Sequence, residues 1–238
     1  MYGSKQAPRA WYAKLDHYLQ QEGFKKGVAG SNLYMKMDKE KLLITLVYID
    51  DLIFASNDEE MSHEFALNMS KKFEMSMIGE LSYFHGLQIS QTFVGMFIAQ
   101  AKYLKDMLKR YGMEYCAPMS TPRTTDCKLS KDDDTPLIDA TLYRSIIRAL
   151  LYLTATGPDI MQAVGMVARF QSSPKQSHLV VVKRILRYLK GRIDFSLWYP
   201  KSSNLIVTTY SDANWAGSVD DRKSTSGNAF FMGDCLVS

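Results

Sequence analysis

The chain contains 238 residues, 46% of them hydrophobic and 23% charged, a composition typical of a globular protein with one or two domains. No apolar run approaches the about 20 residues of a membrane-spanning helix, and the N-terminal sequence MYGSKQAPRAW lacks the apolar core of a signal peptide. Three scattered cysteines and four isolated histidines indicate neither a disulfide framework nor a metal site. We therefore expect the reducing interior of a cell as the setting.

The net charge of +4 is unevenly distributed along the sequence. Residues 140–194 contain nine basic side chains and two acidic ones, so this segment carries +7 and the remainder carries −3. Such a concentration of positive charge favours a polyanionic partner, although a solvated basic helix gives the same count. Charge alone leaves both interpretations open.

The first third of the sequence predicts a helix, three strands and a second helix. Pro8 suits a first helical turn and Gly23 a helix end, so the first helix lies between them. The segments SNLYMKM and KLLITLVYI predict strands, and LIFAS then returns, which makes residues 42–55 a hairpin with its tip at Asp50-Asp51. The run Asn57-Asp58-Glu59-Glu60 predicts the start of a helix that buries Phe65, Met69 and Phe73.

The rest of the sequence predicts a second hairpin, a polar linker, helices and final strands. LSYFHGLQIS pairs with VGMFIAQ, and a short helix covers 101–111. The Thr-, Ser-, Asp- and Pro-rich segment 118–136 predicts an exposed linker, and three helices follow near 139–155, 158–171 and 174–190. For the last helix we expect Ser173 as N-cap, Pro174 at the first position and Gly191 just past the end. Strand patterns resume at Phe195.

Two carboxylates, Asp50 and Asp51, interrupt the apolar sequence LVYIDDLIFAS. A solvated turn is the simplest interpretation, because Asp is common in turns. However, two-residue hairpin turns favour Asn-Gly or Asp-Gly, and adjacent carboxylates repel each other. Divalent cations would compensate this charge, as in the two-metal sites of phosphoryl transfer. Since neighbouring side chains on a strand point oppositely, one Asp would then ligate directly, and a further carboxylate would come from another strand. The residues alone leave both interpretations open.

Several long blocks resemble one known family. YIDD at 48–51 resembles the YxDD motif of reverse transcriptases, and MYGSKQAPRAWY resembles the block LYGLKQAPRAWY of the pol polyprotein of copia-type LTR retrotransposons. Further blocks match in that family's order: LVYIDDLIFAS, GELSYFHGLQIS, YRSIIRALLYLTATGPDI, SHLVVVKRILRYLKG and YSDANWAGSVDDRKSTSG. The resemblance covers essentially the whole chain.

The resemblance implies roles in polymerase chemistry for six residues. Asp50 would be a catalytic metal ligand, with Asp51 beside it in the same motif, and Gln6 would lie near the incoming nucleotide. The primer-grip hairpin, which holds the 3′ end of the primer, would contain Phe84, His85 and Gly86. His85 stands where the family usually has an apolar residue.

The resemblance also implies contacts along bound nucleic acid and a second metal-binding site. The basic helix would ride on the template–primer backbone through Lys183, Arg184, Arg187 and Lys190, in agreement with the charge count. Asp212 would be the first metal-binding carboxylate of a ribonuclease H domain. The implied cofactor is Mg²⁺, with Mn²⁺ as a substitute. Expected partners are an RNA template, a DNA primer, their hybrid and deoxynucleotides, with no membrane, in the cytoplasm within virus-like particles or in the nucleus.

The expected fold class is α+β, comprising the C-terminal part of a reverse transcriptase palm, a helical thumb or connection and the first strands of an RNase H-like domain. The predicted boundaries are 1–117 for the partial palm, 118–138 for the linker, 139–194 for the basic helices and 195–238 for the RNase H fragment. In the family, one polymerase carboxylate precedes the KQAPRAW block and the other RNase H carboxylates follow the last residue here. Each active site is therefore expected to be incomplete, and Arg148, in place of a helical Gly, is expected to disturb packing.

Three functions are compatible with these expectations. The first is a fragment of an RNA-directed DNA polymerase, active only with its missing segments. The second is a remnant that binds RNA–DNA hybrid without catalysis, and the third is a decayed relic without selected function.

Overall fold

A computed structural model describes residues 7–28, 30–124, 128–201 and 206–237. The chain divides into two compact units, Met1–Leu81 and Ser82–Ser238. Both combine helices with antiparallel sheets, so the α+β class is confirmed. None of the described helices combines the length and the apolar character that a membrane crossing needs.

The first unit is a four-stranded antiparallel sheet covered by two helices. Its elements are α1 (Ala7–Gln21), β1 (Lys25–Lys26), β2 (Leu33–Asp38), β3 (Lys41–Tyr48), β4 (Asp51–Ser56) and α2 (Glu59–Lys72), with strand order β1-β2-β3-β4. The core contains Leu15 and Leu19 of α1 together with the predicted stripe Phe65, Met69 and Phe73. The predicted helix ends are also confirmed, because Gly23 has a φ of 87° beyond α1.

The second unit contains two sheets and four α-helices, and its larger core is formed by the helices. The elements are β5 (Tyr83–Phe84), β6 (Leu87–Thr92), β7 (Gly95–Ala99), α3 (Ala101–Arg110), α4 (Ala140–Leu153), a 3₁₀ turn (Pro158–Ile160), α5 (Met161–Ala168), α6 (Gln176–Lys190), β8 (Leu197–Pro200), β9 (Val207–Asn214), β10 (Thr225–Met232) and β11 (Cys235–Leu236). One sheet has the order β5-β6-β7-β8 and the other β11-β10-β9. The predicted helices are confirmed with shorter bounds.

From the sequence, β8 is expected to begin the RNase H fragment. In the structure it pairs with β7, in the same sheet as the second hairpin. Phe97 lies opposite Trp198, and their ring centroids are 4.2 Å apart. Gly95 permits this approach, because a Cβ added there would lie 2.4 Å from the indole of Trp198. The sheet is therefore completed by a segment about a hundred residues further along the chain. The predicted domain boundaries themselves stay predictions.

Arg148 is exposed, so the expectation that it disturbs helix packing is wrong. The buried face of α4 is formed by Tyr143, Ile147 and Leu150, and a residue at position 148 points away from that face at 100° per residue. The long cation therefore stays in water, and no charge is buried.

The polar segment predicted as an exposed linker has no buried side chain among its described residues, but Ser130 and Asp133 hold it against α6. Asp133 accepts hydrogen bonds from the hydroxyls of Thr135, at 2.6 Å, and Ser177. Ser130 offers its carbonyl oxygen to Nε2 of His178 at 2.9 Å. His178 is fully buried and stacks on Phe170 at 4.0 Å, so its ring is part of the packed interior.

The same contacts correct the start of α6. The N-cap is Lys175 rather than Ser173, because Lys175 is extended, with φ −112° and ψ 167°, and forms a β-bridge with Leu137. Its backbone N–H donates to Nδ1 of His178 at 3.0 Å. Gly191 follows the helix as predicted.

We expect Asp133→Asn to remove a pH-dependent part of the stability. Hydrogen bonds from Ser177 and Thr135 lower the pKa of Asp133 to about 2, whereas an unfolded Asp titrates near about 3.9. A lowered folded pKa stabilises the fold above the unfolded pKa, and this contribution is lost as the pH falls through the folded value.

The free energies of unfolding of Asp133→Asn and of the unsubstituted chain, measured in urea, should therefore differ most near neutral pH. The difference should shrink towards about pH 2. Asp132→Asn, which removes an exposed carboxylate one residue away, controls for the loss of a charge. A difference that does not change with pH would contradict the assigned role of Asp133.

Candidate functional site

The Asp pair lies on the β3–β4 hairpin, whose register is fixed by one buried face of β3. Leu43, Thr45 and Val47 alternate inward and are almost fully buried. A shift of one residue would turn all three towards water. The hydroxyl of Thr45 donates to the carbonyl of Ile53 at 3.1 Å, which satisfies this polar group. The hairpin is consequently a rigid support for its own tip.

The tip is Ile49-Asp50, one residue earlier than the Asp50-Asp51 predicted from the sequence. Tyr48 and Asp51 are paired across the two strands, which leaves two residues in the turn. Asp51 is therefore the first residue of β4, whereas Asp50 belongs to the turn itself. The buried alternation of β3 dictates this register, and the turn follows from it.

Ile49 adopts a backbone conformation that β-branched residues rarely occupy. Its φ is 55°, and its side chain is 73% exposed. A left-handed conformation costs an L-residue about 1–2 kcal/mol, and glycine is preferred at such hairpin positions. Ile49 gains little burial in return. Strain of this kind is often found where the backbone positions a functional group, in this case the adjacent Asp50.

Both carboxylates suit a hard divalent cation by donor type and exposure, but they do not form a complete site within the described chain. Mg²⁺ prefers carboxylate oxygens, and the Asp50 and Asp51 side chains are both exposed. Among the residues that the structure describes, no group of three His, Cys, Asp or Glu is placed to hold a metal ion. Further ligands would have to come from other groups.

The three predicted primer-grip residues form one tight corner. Phe84 ends β5, and His85-Gly86 are the two turn residues, with φ values of 47° and 85°. Positive φ at both positions is the geometry that closes two-residue hairpins. The rings of Phe84 and His85 pack edge to face at 4.3 Å.

Tyr152 of α4 supports this corner, a contact that the sequence did not reveal. A Cβ added to Gly86 would lie 2.6 Å from the Tyr152 hydroxyl oxygen, and φ is 85° at this position, so both space and backbone conformation favour glycine. The Tyr152 carbonyl accepts a hydrogen bond from the side chain of Gln100 at 3.2 Å, and its ring packs on Tyr103 at 4.7 Å. The turn is thus fixed to the helical core. No local sequence signal predicts a contact between positions so far apart.

The four cations of α6 that were predicted to bind the nucleic-acid backbone fall into two pairs. Arg184 donates to the Thr121 hydroxyl at 2.8 Å, and Arg187 donates to the Ala117 carbonyl at 2.7 Å. These two guanidinium groups therefore hold the segment that precedes α4. Lys183 is exposed and Lys190 is half-buried, and neither has an ion pair within the described residues.

Of the two remaining predicted residues, Asp212 and Gln6, the structure describes Asp212. Asp212 lies on β9 opposite Gly227 of β10, with an exposed side chain that accepts from the Ala213 N–H at 2.8 Å. Gln6 lies outside the described residues. The structure thus brings together the residues of each predicted group, the Asp pair and the primer-grip corner, on single hairpins.

Residues 1–125 match the family described as "Reverse transcriptase (RNA-dependent DNA polymerase)". The chain belongs to the reverse transcriptase family of copia-type transposon Pol polyproteins. It is 38% identical over its whole length to the Retrovirus-related Pol polyprotein from transposon RE1 of Arabidopsis thaliana, covering 16% of that protein. It is 34% identical over 99% of its length to the Pol polyprotein from transposon TNT 1-94 of Nicotiana tabacum, covering 18%.

An uncharacterized mitochondrial protein of Arabidopsis thaliana is 37% identical over 81% of this chain, which covers 80% of that protein. No solved structure matches the chain. This reverse transcriptase-family chain therefore spans about a sixth of the length of the Pol polyproteins and most of the mitochondrial relative.

We expect Ile49→Gly to raise the free energy of unfolding. Glycine removes the left-handed strain of about 1–2 kcal/mol, and its greater freedom in the unfolded chain costs about 0.5–1 kcal/mol, so the net gain is up to about 1.5 kcal/mol. Chemical denaturation measures this difference directly.

The control is Lys39→Gly at the tip of the β2–β3 hairpin, where φ is 57° but the side chain is not β-branched. Its gain should be smaller, because a straight side chain is less strained there. A loss of stability in Ile49→Gly would contradict the assignment of strain.

Proposed function

We propose that this chain is the part of an RNA-directed DNA polymerase that carries its YIDD carboxylates and contacts the template–primer. The observation that carries the proposal is the exposed Asp50-Asp51 pair on a hairpin whose register is fixed by the core. A catalytic carboxylate must be both accessible and rigidly held, and this hairpin provides both properties. Family membership supports the polymerase class.

In this proposal Asp50 and Asp51 hold Mg²⁺, or Mn²⁺ as a substitute, at the hairpin tip. The remaining ligands come from outside the described residues, such as the phosphates of the deoxynucleotide, because the described chain supplies no third protein ligand. When bound, the ion would stabilise the charge that develops on the transferring phosphoryl group. The protein's own contribution is positional: the strained turn fixes Asp50, and the strand pairing fixes Asp51.

Two other surfaces of the chain would hold nucleic acid in this proposal. The corner formed by Phe84, His85 and Gly86 contacts the primer end, supported from behind by Tyr152. Lys183 and Lys190 contact backbone phosphates, since they are not engaged in ion pairs within the described residues. Gln6 contacts the incoming nucleotide, and Asp212 is the first carboxylate of a ribonuclease H site.

Binding of RNA–DNA hybrid without catalysis is a second candidate function. One observation favours it: among the described residues, no third metal ligand lies near Asp50 and Asp51. Contacts between lysines and phosphates need no metal ion, so hybrid binding does not depend on that ligand. The experiments below separate the two candidates, because one measures the metal site and the other measures the nucleic-acid surface.

We expect Mn²⁺ to bind at the hairpin tip. In NMR spectra of the full chain, substoichiometric Mn²⁺ should broaden amide signals of residues 48–52, and excess Mg²⁺ should restore them. The double variant Asp50→Asn, Asp51→Asn should abolish the effect, because it removes both anionic ligands while preserving size.

Asp38→Asn at the neighbouring hairpin tip of the same sheet should leave this broadening unchanged. Broadening confined to the acidic run 132–134, with none at 48–52, would exclude the metal site at the Asp pair and would leave hybrid binding as the remaining candidate.

We expect the affinity for RNA–DNA hybrid to fall steeply with salt, as phosphate contacts require. Replacing Lys183 and Lys190 by Ala should weaken binding and lower the steepness of the plot of log K against log salt concentration by about 2. Fluorescence anisotropy with a labelled hybrid measures both quantities.

The matched control is Lys71→Ala with Lys72→Ala, which removes the same charge from the exposed end of α2. Equal effects of the two double variants would show that only net charge matters and would contradict a specific surface on α6.

A further inference from the structure

A cleft of about 650 Å³ lies within the second unit, and none of the residues assigned above lines it. Three parts of the chain line it: Arg123 with residues 128–131 of the docked segment, α5 with the two residues that follow it, and the loop of residues 215–224 that joins β9 to the first residue of β10. Its volume is comparable to that of sites that bind drug-sized ligands. The cleft can therefore hold one or a few nucleotides but not a duplex.

The described lining is strongly basic. It contains two carboxylates and six cationic side chains, Arg123, Lys128, Lys131, Arg169, Arg222 and Lys223. Such an excess of one charge in a concave surface focuses the electrostatic potential and attracts anions. The cleft thus has the electrostatic character expected for a phosphate-bearing ligand.

Two of the arginines are held in place by neutral partners. Arg123 contacts the Met166 sulfur at 2.9 Å, and Arg169 donates to the Thr225 hydroxyl at 3.0 Å. In the described residues neither guanidinium has a carboxylate within ion-pair distance. Their side chains are therefore oriented while their charge stays uncompensated.

The two carboxylates of the lining are already occupied by the protein itself. Asp220 accepts from the Ser130 hydroxyl at 2.6 Å and from the backbone N–H of Lys131 at 3.1 Å, so it joins the loop to the docked segment. Asp221 pairs with Lys223 at 3.0 Å. These contacts build the wall of the cleft and leave the other cations available.

Trp215 lies at the edge of this basic surface with 89% of its side chain exposed. An indole in water is unfavourable unless a partner covers it, and every nucleobase has a flat face that can stack on it. Aromatic side chains beside a cationic groove are the usual arrangement of proteins that bind single strands. Bases within a duplex are already stacked on each other and cannot use Trp215 in this way.

We propose that the cleft binds a single-stranded nucleic-acid segment, with Arg123 and Arg169 on its phosphates and a base stacked on Trp215. This site does not include Lys183 or Lys190 of α6. It rests on the proposed nucleic-acid binding and adds a second surface, which binds an unpaired strand. It does not require a metal ion or the Asp pair.

The test measures binding of a short fluorescein-labelled single-stranded RNA to the full chain by anisotropy. Trp215→Ala should weaken this binding about tenfold, since stacking on one aromatic residue contributes about that factor. Trp215→Phe should retain most of the affinity, because it keeps an aromatic face. Arg123→Ala with Arg169→Ala should weaken binding and reduce its salt dependence.

The controls separate this site from α6 and from surface aromatic residues in general. Tyr115→Ala, which removes an aromatic side chain that is 93% exposed, should leave single-strand binding unchanged. Lys183→Ala with Lys190→Ala should weaken hybrid binding more than single-strand binding, and the cleft variants should show the reverse.

Two results would overturn the proposal. One is unchanged single-strand affinity in both Trp215→Ala and the double arginine variant. The other is equally tight binding of inorganic polyphosphate that is insensitive to Trp215→Ala, which would identify only an anion-binding surface. Loss of hybrid binding in Lys183→Ala with Lys190→Ala, with single-strand binding retained, would leave the proposal for the cleft unchanged. The two proposals can therefore fail independently.

Discussion

The inward alternation of Leu43, Thr45 and Val47 on β3 is the constraint on which the candidate active site depends. Burial of these side chains allows one register with β4, and that register leaves two residues for the turn. Ile49 is consequently forced into a left-handed conformation, and Asp50 is presented at the tip. The position of the carboxylate is thus determined by packing beneath it rather than by contacts of its own.

In the second unit, most of the side chains of α6 that the structure describes in contacts serve the fold. Its apolar face contributes Val182, Ile185 and Leu186 to the core. On the opposite flank, Arg184 and Arg187 hold the segment before α4, so they serve the fold, whereas Lys183 has no such duty in the described part of the chain. The count of basic residues therefore overstates the charge available to a polyanion on this helix. More of that charge is available in the cleft lined by Arg123 and Arg169.

The polar segment that precedes α4 shows how a sequence with few apolar residues can still be part of the folded structure. Its docking depends on Asp133 and Ser130, which contact the first turn of α6 and the buried ring of His178. These are polar contacts between residues more than forty positions apart. They also place Lys131 and Asp220 side by side, which joins the segment to the β9–β10 loop and forms one wall of the cleft.

The sequence by itself determined the family, the α+β class, most helix and strand positions and the presence of two carboxylates on an apolar hairpin. These features are encoded locally, in periodicity, capping residues and contiguous motifs. Tertiary structure alone decided the exact turn at Ile49-Asp50, the exposure of Arg148, the support of Gly86 by Tyr152 and the cleft beside Trp215. Each of these depends on contacts between distant segments, which local patterns do not specify because burial is a property of the assembled core.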